Sequence, residues 1–217
     1  MATVGPMPPH AQLSGFLPEA EHDAILAWAI SEQESFSPAK VFLKGGAAGR
    51  VDPERRIALK RYGMGPFEPL LSERLFDAYS RIAPAAGYKG PRLSSLQFEL
   101  NAYGEGAHFA PHFDIPLGNA RRPIGERPGE DRLITAVYYF RGEPRGFSGG
   151  ALRLYRFGAD HDEATDGDSI AFEPERNSLL VFPSWARHGV ETVHCPSGLF
   201  RDYRFGLNCW FCGRLGG

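Results

Sequence analysis

The chain has 217 residues, 42% of them hydrophobic and 23% charged, and a formal net charge of −2. That length suits one domain with a real core, and the near-neutral balance leaves no cationic footprint for nucleic acid or an anionic membrane. The opening MATVGPMPPHAQLSGF lacks the basic and apolar regions of a secretory leader, and no apolar run approaches the ~20 residues that span a bilayer.

Residues 1–11, rich in proline and small side chains, read as a loose tail. LPEAEHDAILAWAISEQ predicts a helix, with Pro18 at its first position, acidic residues in its first turn and an apolar stripe of Ile25, Leu26, Trp28, Ala29 and Ile30. A second helix is predicted over PFEPLLSERLFDAYSRIAPA, where Leu70, Leu71, Leu75, Phe76, Tyr79 and Ile82 share one side. From Leu93 the pattern changes to short β-rich runs: LQFELNAY, RLITAVYYF, ALRLYRF, DSIAFEP, NSLLVFP, HGVETVHC and YRFGLNCWF, separated by Gly, Pro, Asp and Asn clusters. Runs at this density point to a sandwich or barrel. The expectation is a mainly β protein in a single domain, with an N-terminal helical layer (1–92) backing a β core (93–212).

Two connections stand out. Residues 115–131 form a long segment, of a length that is either functional or disordered, whose Arg121, Arg122 and Arg127 are candidates to meet an anionic group of a substrate or to close over it as a lid. HDEATDGD, residues 161–168, is dense in carboxylates without EF-hand spacing and reads as a solvated hairpin loop. The three cysteines, Cys195, Cys209 and Cys212, are an odd, sparse set that suits free thiols in the cytoplasm. Cys209 and Cys212 have CxxC spacing, but they sit in an apolar run and are expected to be buried.

The chemistry is concentrated around HFD, residues 112–114. On a strand, residues two apart share a face, so His112 and Asp114 can offer an imidazole and a carboxylate to one metal ion. His188, between two β-runs, is the candidate third ligand. Two histidines and one carboxylate on one face of an octahedron leave positions open, as in non-haem Fe(II) oxygenases. His108 and His194 are expected to be packing or surface residues.

If such an enzyme uses 2-oxoglutarate, a buried cation must meet the distal carboxylate. Arg204 suits this: its fork pairs bidentately and stays charged, and it opens an apolar run where an unpartnered inward Arg would be costly. Arg201 is the competing candidate, but three positions apart on a strand would put the two arginines on opposite faces.

From about Gln97 to Phe211 the chain resembles the prolyl-hydroxylase branch of the Fe(II)/2-oxoglutarate dioxygenases in five ordered blocks: AYGEGAHFAPHFD, RLITAVYYF, SGGALRLY, NSLLVFPSWARHGV and RFGLNCWF. RFGLNCWF matches the cosubstrate strand of that family and favours Arg204. The resemblance implies a double-stranded β-helix (jelly-roll) core with Fe(II) between its sheets, and 2-oxoglutarate and O2 as cosubstrates. It also implies that Tyr103 and Tyr139 bond 2-oxoglutarate and that Thr135 belongs to the pocket wall. In DPERR, Arg55 or Arg56 is placed at the entrance. The activity expected is hydroxylation of a C–H bond in an amino acid, a peptide or protein residue, or a related metabolite.

Two other readings stay open. NAYGEGAHFAPHFD also has the layout of AlkB-type nucleic-acid demethylases, but those carry another Arg six residues after the cosubstrate Arg, where this chain has Trp210. The acidic balance likewise argues against a nucleic-acid partner. A non-enzymatic, cupin-like sandwich holding a metal or ligand is the remaining alternative, although a closed structural site would need more than three protein ligands.

Overall fold

A computed structural model describes residues 5–41, 49–115, 130–157 and 168–214. In chain order the elements are β1 (Ala11–Ser14), α1 (Glu19–Ser31), β2 (Ser37–Pro38), β3 (Arg56–Ile57), β4 (Leu59–Tyr62), α2 (Glu68–Asp77), α3 (Tyr79–Ala85) and β5 (Ser95–Tyr103). There follow β6 (His108–His112), β7 (Asp131–Phe140), β8 (Ser148–Gly149), β9 (Leu152–Tyr155), β10 (Ser169–Phe172), β11 (Ser178–Pro183), β12 (His188–Val190), β13 (Val193–His194) and β14 (Arg204–Gly213). The strands form a large antiparallel sheet, β1-β11-β7-β14-β5-β4-β2, facing a smaller one, β10-β9-β12-β6-β3, the jelly-roll arrangement.

The two-residue period of β14 sorts the interior. Its odd-numbered Phe205, Leu207, Cys209 and Phe211 point to the outer face of the large sheet. There they pack in one cluster with the buried stripes of the helices: Ile25 of α1, Leu71 and Leu75 of α2, and Ile82 of α3. The helices therefore back one sheet, as expected. The even-numbered Arg204, Gly206 and Asn208 face the space between the sheets. Pairing with β5 (Arg204↔Tyr103 to Cys212↔Ser95) and with β7 (from Phe205↔Phe140) carries the same division across three strands. All three cysteines are free and buried.

Three expectations about the N-terminal third change. The predicted second helix is two, α2 and α3, meeting at Ala78, a break that sets Tyr79 against Phe211 (5.5 Å) with its hydroxyl accepting Leu93 N–H (3.0 Å). Residues 1–92 are not only a helical layer, because β1–β4 supply strands to both sheets. Within the tail, residues 5–10 are tied down: Gly5 N–H donates to Phe157 O (2.9 Å) and Met7 packs against the cluster between the sheets. Pairing of β1 with β11 anchors this segment from behind. A proline-rich composition gave no sign of these long-range partners. Residues 116–129 and 158–167 lie outside the described residues, and with them the lid arginines and the acidic hairpin loop except Asp168.

One buried ion cluster links the sheets. Arg56 on β3 donates from Nη2 to Glu99 Oε1 (2.9 Å) and Asn101 Oδ1 (2.5 Å) on β5, and Lys60 on β4 reaches Glu99 Oε2 (3.2 Å). Arg56, Lys60 and Glu99 are each over nine-tenths buried. Arg56 is thus committed to the interior rather than to an entrance, while Arg55 is exposed. Burial alone would raise the Glu99 pKa, but the adjacent Arg56 and Lys60 outweigh it and hold the carboxyl below its ordinary value. Replacing Glu99 by Ala leaves a buried cation uncompensated, and a loss of about 3–5 kcal/mol is expected in urea unfolding. Because the folded-state pKa is the depressed one, this stabilisation is full above the ordinary carboxylate pKa and is lost as pH falls through the folded value. The wild-type advantage over Glu99→Ala should shrink correspondingly in acid.

Candidate metal centre

Strand β6 ends at His112, and Asp114 lies in the bend just beyond it, not on the strand itself. What orients Asp114 is its backbone N–H, which donates to Ser184 O (3.2 Å) in the turn after β11. His188 opens β12 and stands directly opposite His112 in the small sheet. The predicted trio does converge: His112 Nε2 is 3.7 Å from Asp114 Oδ1, and His188 Nε2 is 3.6 Å from Asp114 Oδ2. His188 is 4% exposed and Asp114 9%.

Each imidazole is prepared to give a lone pair. His112 Nδ1 lies 3.0 Å from Ala110 O, and His188 Nδ1 lies 3.0 Å from Ala186 O. A carbonyl only accepts, so both Nδ1 atoms carry the proton and both Nε2 atoms are free to ligate. Burial, reinforced by His188, pushes the His112 pKa down to about 3, so the ring is neutral near pH 7. Burial works against ionisation of Asp114, but His188, His112, Arg132 and the Trp210 indole hold its carboxyl below the usual range.

Asp114 Oδ2 accepts from Thr135 Oγ1 (2.8 Å) and Trp210 Nε1 (2.9 Å). Oδ1 accepts no hydrogen bond from the described residues and is the oxygen available to a metal. Two imidazoles with fixed tautomers and an ionised carboxylate make a donor set that fits Fe(II). A second acidic group, Glu19, His22 and Asp23, also lies close together, but Arg176 hydrogen-bonds both carboxylates and already balances it. His108 bonds Gly106 O (3.2 Å), and His194 is an exposed neighbour of Glu105; neither joins the trio.

From His112 and His188 a narrow cavity runs between the sheets to Arg204, past Tyr103, Phe109, Val137 and Asn208. Arg204 is 2% exposed. Its Nε donates to Gly150 O (2.7 Å), and its guanidinium lies over the rings of Tyr103 (4.8 Å) and Tyr139 (5.0 Å). Gly150 is required here: its φ is +72°, and a Cβ would come within 2.8 Å of Arg204 Cδ. Arg204 Nη2 and Tyr139 OH are buried without a hydrogen-bond partner. Burial pushes the Tyr139 phenol up to about 12, so it stays a proton donor. A buried cation and a phenol, both short of an acceptor, fit a ligand carboxylate at this end.

Arg201, the competing candidate, is exposed on the 3-10 turn Phe200–Asp202. Its separation from Arg204 therefore comes from that turn and not from strand alternation. Thr135 differs from the expectation of a pocket-wall residue: it is fully buried behind Asp114, with its hydroxyl taken up by Asp114 and Ser184. Sequence reasoning missed Trp210, Ser184, Asn208 and Phe109. For Trp210 and Asn208 there was a signal, since both lie at even positions on the strand that begins with Arg204.

The family model of the 2OG-Fe(II) oxygenase superfamily matches residues 98–212. An uncharacterized PKHD-type hydroxylase of Synechocystis sp. is 27% identical over 203 residues, which are 93% of this chain and 62% of that relative. The chain thus spans under two thirds of that relative's length. Among solved structures, a Pseudomonas putida prolyl-4-hydroxylase superposes with a TM-score of 0.63 at 20% identity, covering 94% of this chain and 92% of the other. A Trichoplax adhaerens prolyl hydroxylase, in complex with a hypoxia inducible factor peptide fragment, gives 0.63 at 16% identity, covering 94% and 83%. The family match covers over half of the chain and includes all three converging residues and Arg204: the protein belongs to the 2OG-Fe(II) oxygenase superfamily, whose members imply Fe(II), 2-oxoglutarate and O2.

Proposed function

We propose that this protein hydroxylates a C–H bond of an amino acid, a peptide or protein residue, or a related metabolite. The observation that carries this reading is the juxtaposition of two tautomer-fixed imidazoles and a carboxylate with a buried, unsatisfied Arg204 at the far end of one cavity. His112, Asp114 and His188 would hold Fe(II). Arg204 and Tyr139 would take the distal carboxylate of 2-oxoglutarate, with Tyr103 beside them. The bound iron and cosubstrates supply the oxidation: 2-oxoglutarate and O2 give succinate and CO2, and one oxygen atom enters the substrate C–H bond.

The protein's part is binding, orientation and exclusion of water. Arg204 fixes the cosubstrate at one end, because a guanidinium fork between two tyrosines accepts a carboxylate in few orientations. Val137, Leu152 and Val190 give the cavity apolar walls that limit hydration. Thr135 and Trp210 hold Asp114 Oδ2, which would leave Oδ1 for a metal. A hypoxia inducible factor peptide occupies the Trichoplax enzyme, which supports testing peptides beside free amino acids. Trp210 spends its indole N–H on Asp114, which favours the hydroxylase reading over the nucleic-acid demethylase layout. No helix among the described residues is long and apolar enough to cross a membrane, and buried free thiols suit the cytoplasm.

The test is succinate release by the Fe(II)-loaded protein with 2-oxoglutarate and O2 across panels of amino acids, peptides and methylated oligonucleotides. His112→Ala, Asp114→Ala and His188→Ala should each abolish turnover and remove the charge-transfer band formed with 2-oxoglutarate under argon. Full activity in either histidine variant would remove the assignment. For Arg204→Ala, calorimetry should show a loss of ~2–5 kcal/mol in 2-oxoglutarate binding, roughly 30- to several-thousand-fold, while Arg201→Ala has little effect. Trp210→Phe keeps the ring but not the donor, and Fe(II) affinity should fall by about 10-fold or more in an anaerobic titration.

A further inference from the structure

A bulge in β6 decides which side chain lies against His112. Across β6 and β12, His112 stands opposite His188, whereas Phe109 stands opposite Val190. Three residue steps on β6 therefore match two on β12, one more than regular pairing allows. On a regular strand Phe109 and His112, three apart, would face opposite sides. The extra residue within Ala110–Pro111 brings them to the same side, as bulges beside functional sites re-aim side chains. Pro111 has no N–H to withdraw from the ladder, and Ala110 donates its own to Arg55 O (2.7 Å). Gly189 admits the bulge from across the sheet, since a Cβ there would lie 3.0 Å from Phe109 O and 3.2 Å from Pro111 N.

The product is a three-layer stack. The Phe109 ring lies on the His112 imidazole, with centroids 3.6 Å apart and planes 15° apart. The Arg56 guanidinium covers Phe109 at 4.4 Å; a face already covered at 3.6 Å has no room for it, so it takes the other face. Glu99 and Asn101 pin that guanidinium from the large sheet. The two metal-facing histidines differ in their need for this. The side chain of His188 is 5% exposed and packs on Phe182, whereas that of His112 is 21% exposed. Its remaining anchors are the Ala110 carbonyl and a tilted contact with His188.

We propose that Phe109 and Arg56 are positioning residues for His112: the Glu99–Arg56–Phe109 column holds the plane of the imidazole so that Nε2 points to the iron site. This rests on the iron-centre reading above and extends it to residues that supply no ligand atom to the metal. Cation–π and stacking contacts of this kind are directional, so a side chain of similar bulk but no planar face should not replace Phe109.

The experiment titrates the full-length metal-free protein with Fe(II) under argon and, separately, with Co(II), following ligand-field absorption; urea unfolding of the metal-free form is run in parallel. Phe109→Leu should bind either metal about 10-fold more weakly and shift the Co(II) band. Phe109→Tyr should keep the wild-type affinity and band, and Arg56→Lys, which keeps the charge but not the planar group, should fall between. Wild-type affinity with an unchanged Co(II) band in both Phe109→Leu and Arg56→Lys would overturn the inference, even if both lowered stability. If Phe109→Leu does not fold, Arg56→Lys decides in the same two ways. Failure of the wild-type protein itself to bind stoichiometric metal would overturn the iron-centre reading and this inference with it.

Discussion

Strand β14 is hydrogen-bonded on both sides along almost its whole length, and its alternation is the constraint on which the rest depends. A one-residue slip would exchange its two faces. Arg204, Asn208 and Trp210 would then meet the helices, and Phe205, Leu207 and Phe211 would fill the cavity. The outer face prevents this slip, because its apolar side chains have a large matching surface in α1, α2 and α3. The helical layer contributes no ligand, yet it holds the register that presents every polar residue of the inner face.

That inner face is arranged in rows. Arg204 lies beside Tyr103, Gly206 beside Asn101 and Tyr139, Asn208 beside Glu99 and Val137, and Trp210 beside Gln97 and Thr135. One end is a cation whose Nη2 lacks an acceptor; the other supplies the donors that hold Asp114 Oδ2. Between the two ends Gly206 keeps the floor clear, since a Cβ there would come within 3.2 Å of Arg204 Nη1. The opposite wall is the small sheet, which brings His112 and His188 together as cross-strand partners. The three converging residues thus belong to the small sheet and the bend after β6, the donors that hold Asp114 belong to the large sheet, and the buried Arg56–Glu99–Lys60 cluster resists separation of the two.

The ionisable groups of the interior follow one logic. A buried charge is tolerated where it is paired or hydrogen-bonded. Glu99 has two cations, and Asp114 has two donors on one oxygen. Arg204 is the exception, with a single carbonyl on Nε and no acceptor on Nη2. Arg56 also leaves its Nε unsatisfied, but its guanidinium is paired with Glu99; the Arg204 guanidinium fits an anion from outside.

The sequence by itself determined the fold class, the helices behind one sheet and the three converging residues. These are legible because alternation and helical spacing are local periodicities, and because HxD places a histidine and a carboxylate close together whatever the chain does next. Ordered blocks matching a family added the cosubstrate and the tyrosines. Only the tertiary structure decided that Asp114 leaves the strand for a bend held by Ser184, and that Thr135 and Trp210 bind its far oxygen. It also decided that residues 5–10 are anchored, and that an extra residue in β6 lays Phe109 on His112. Each of these depends on a partner about 20 or more residues away or on the pairing count between two strands, and a local pattern carries neither.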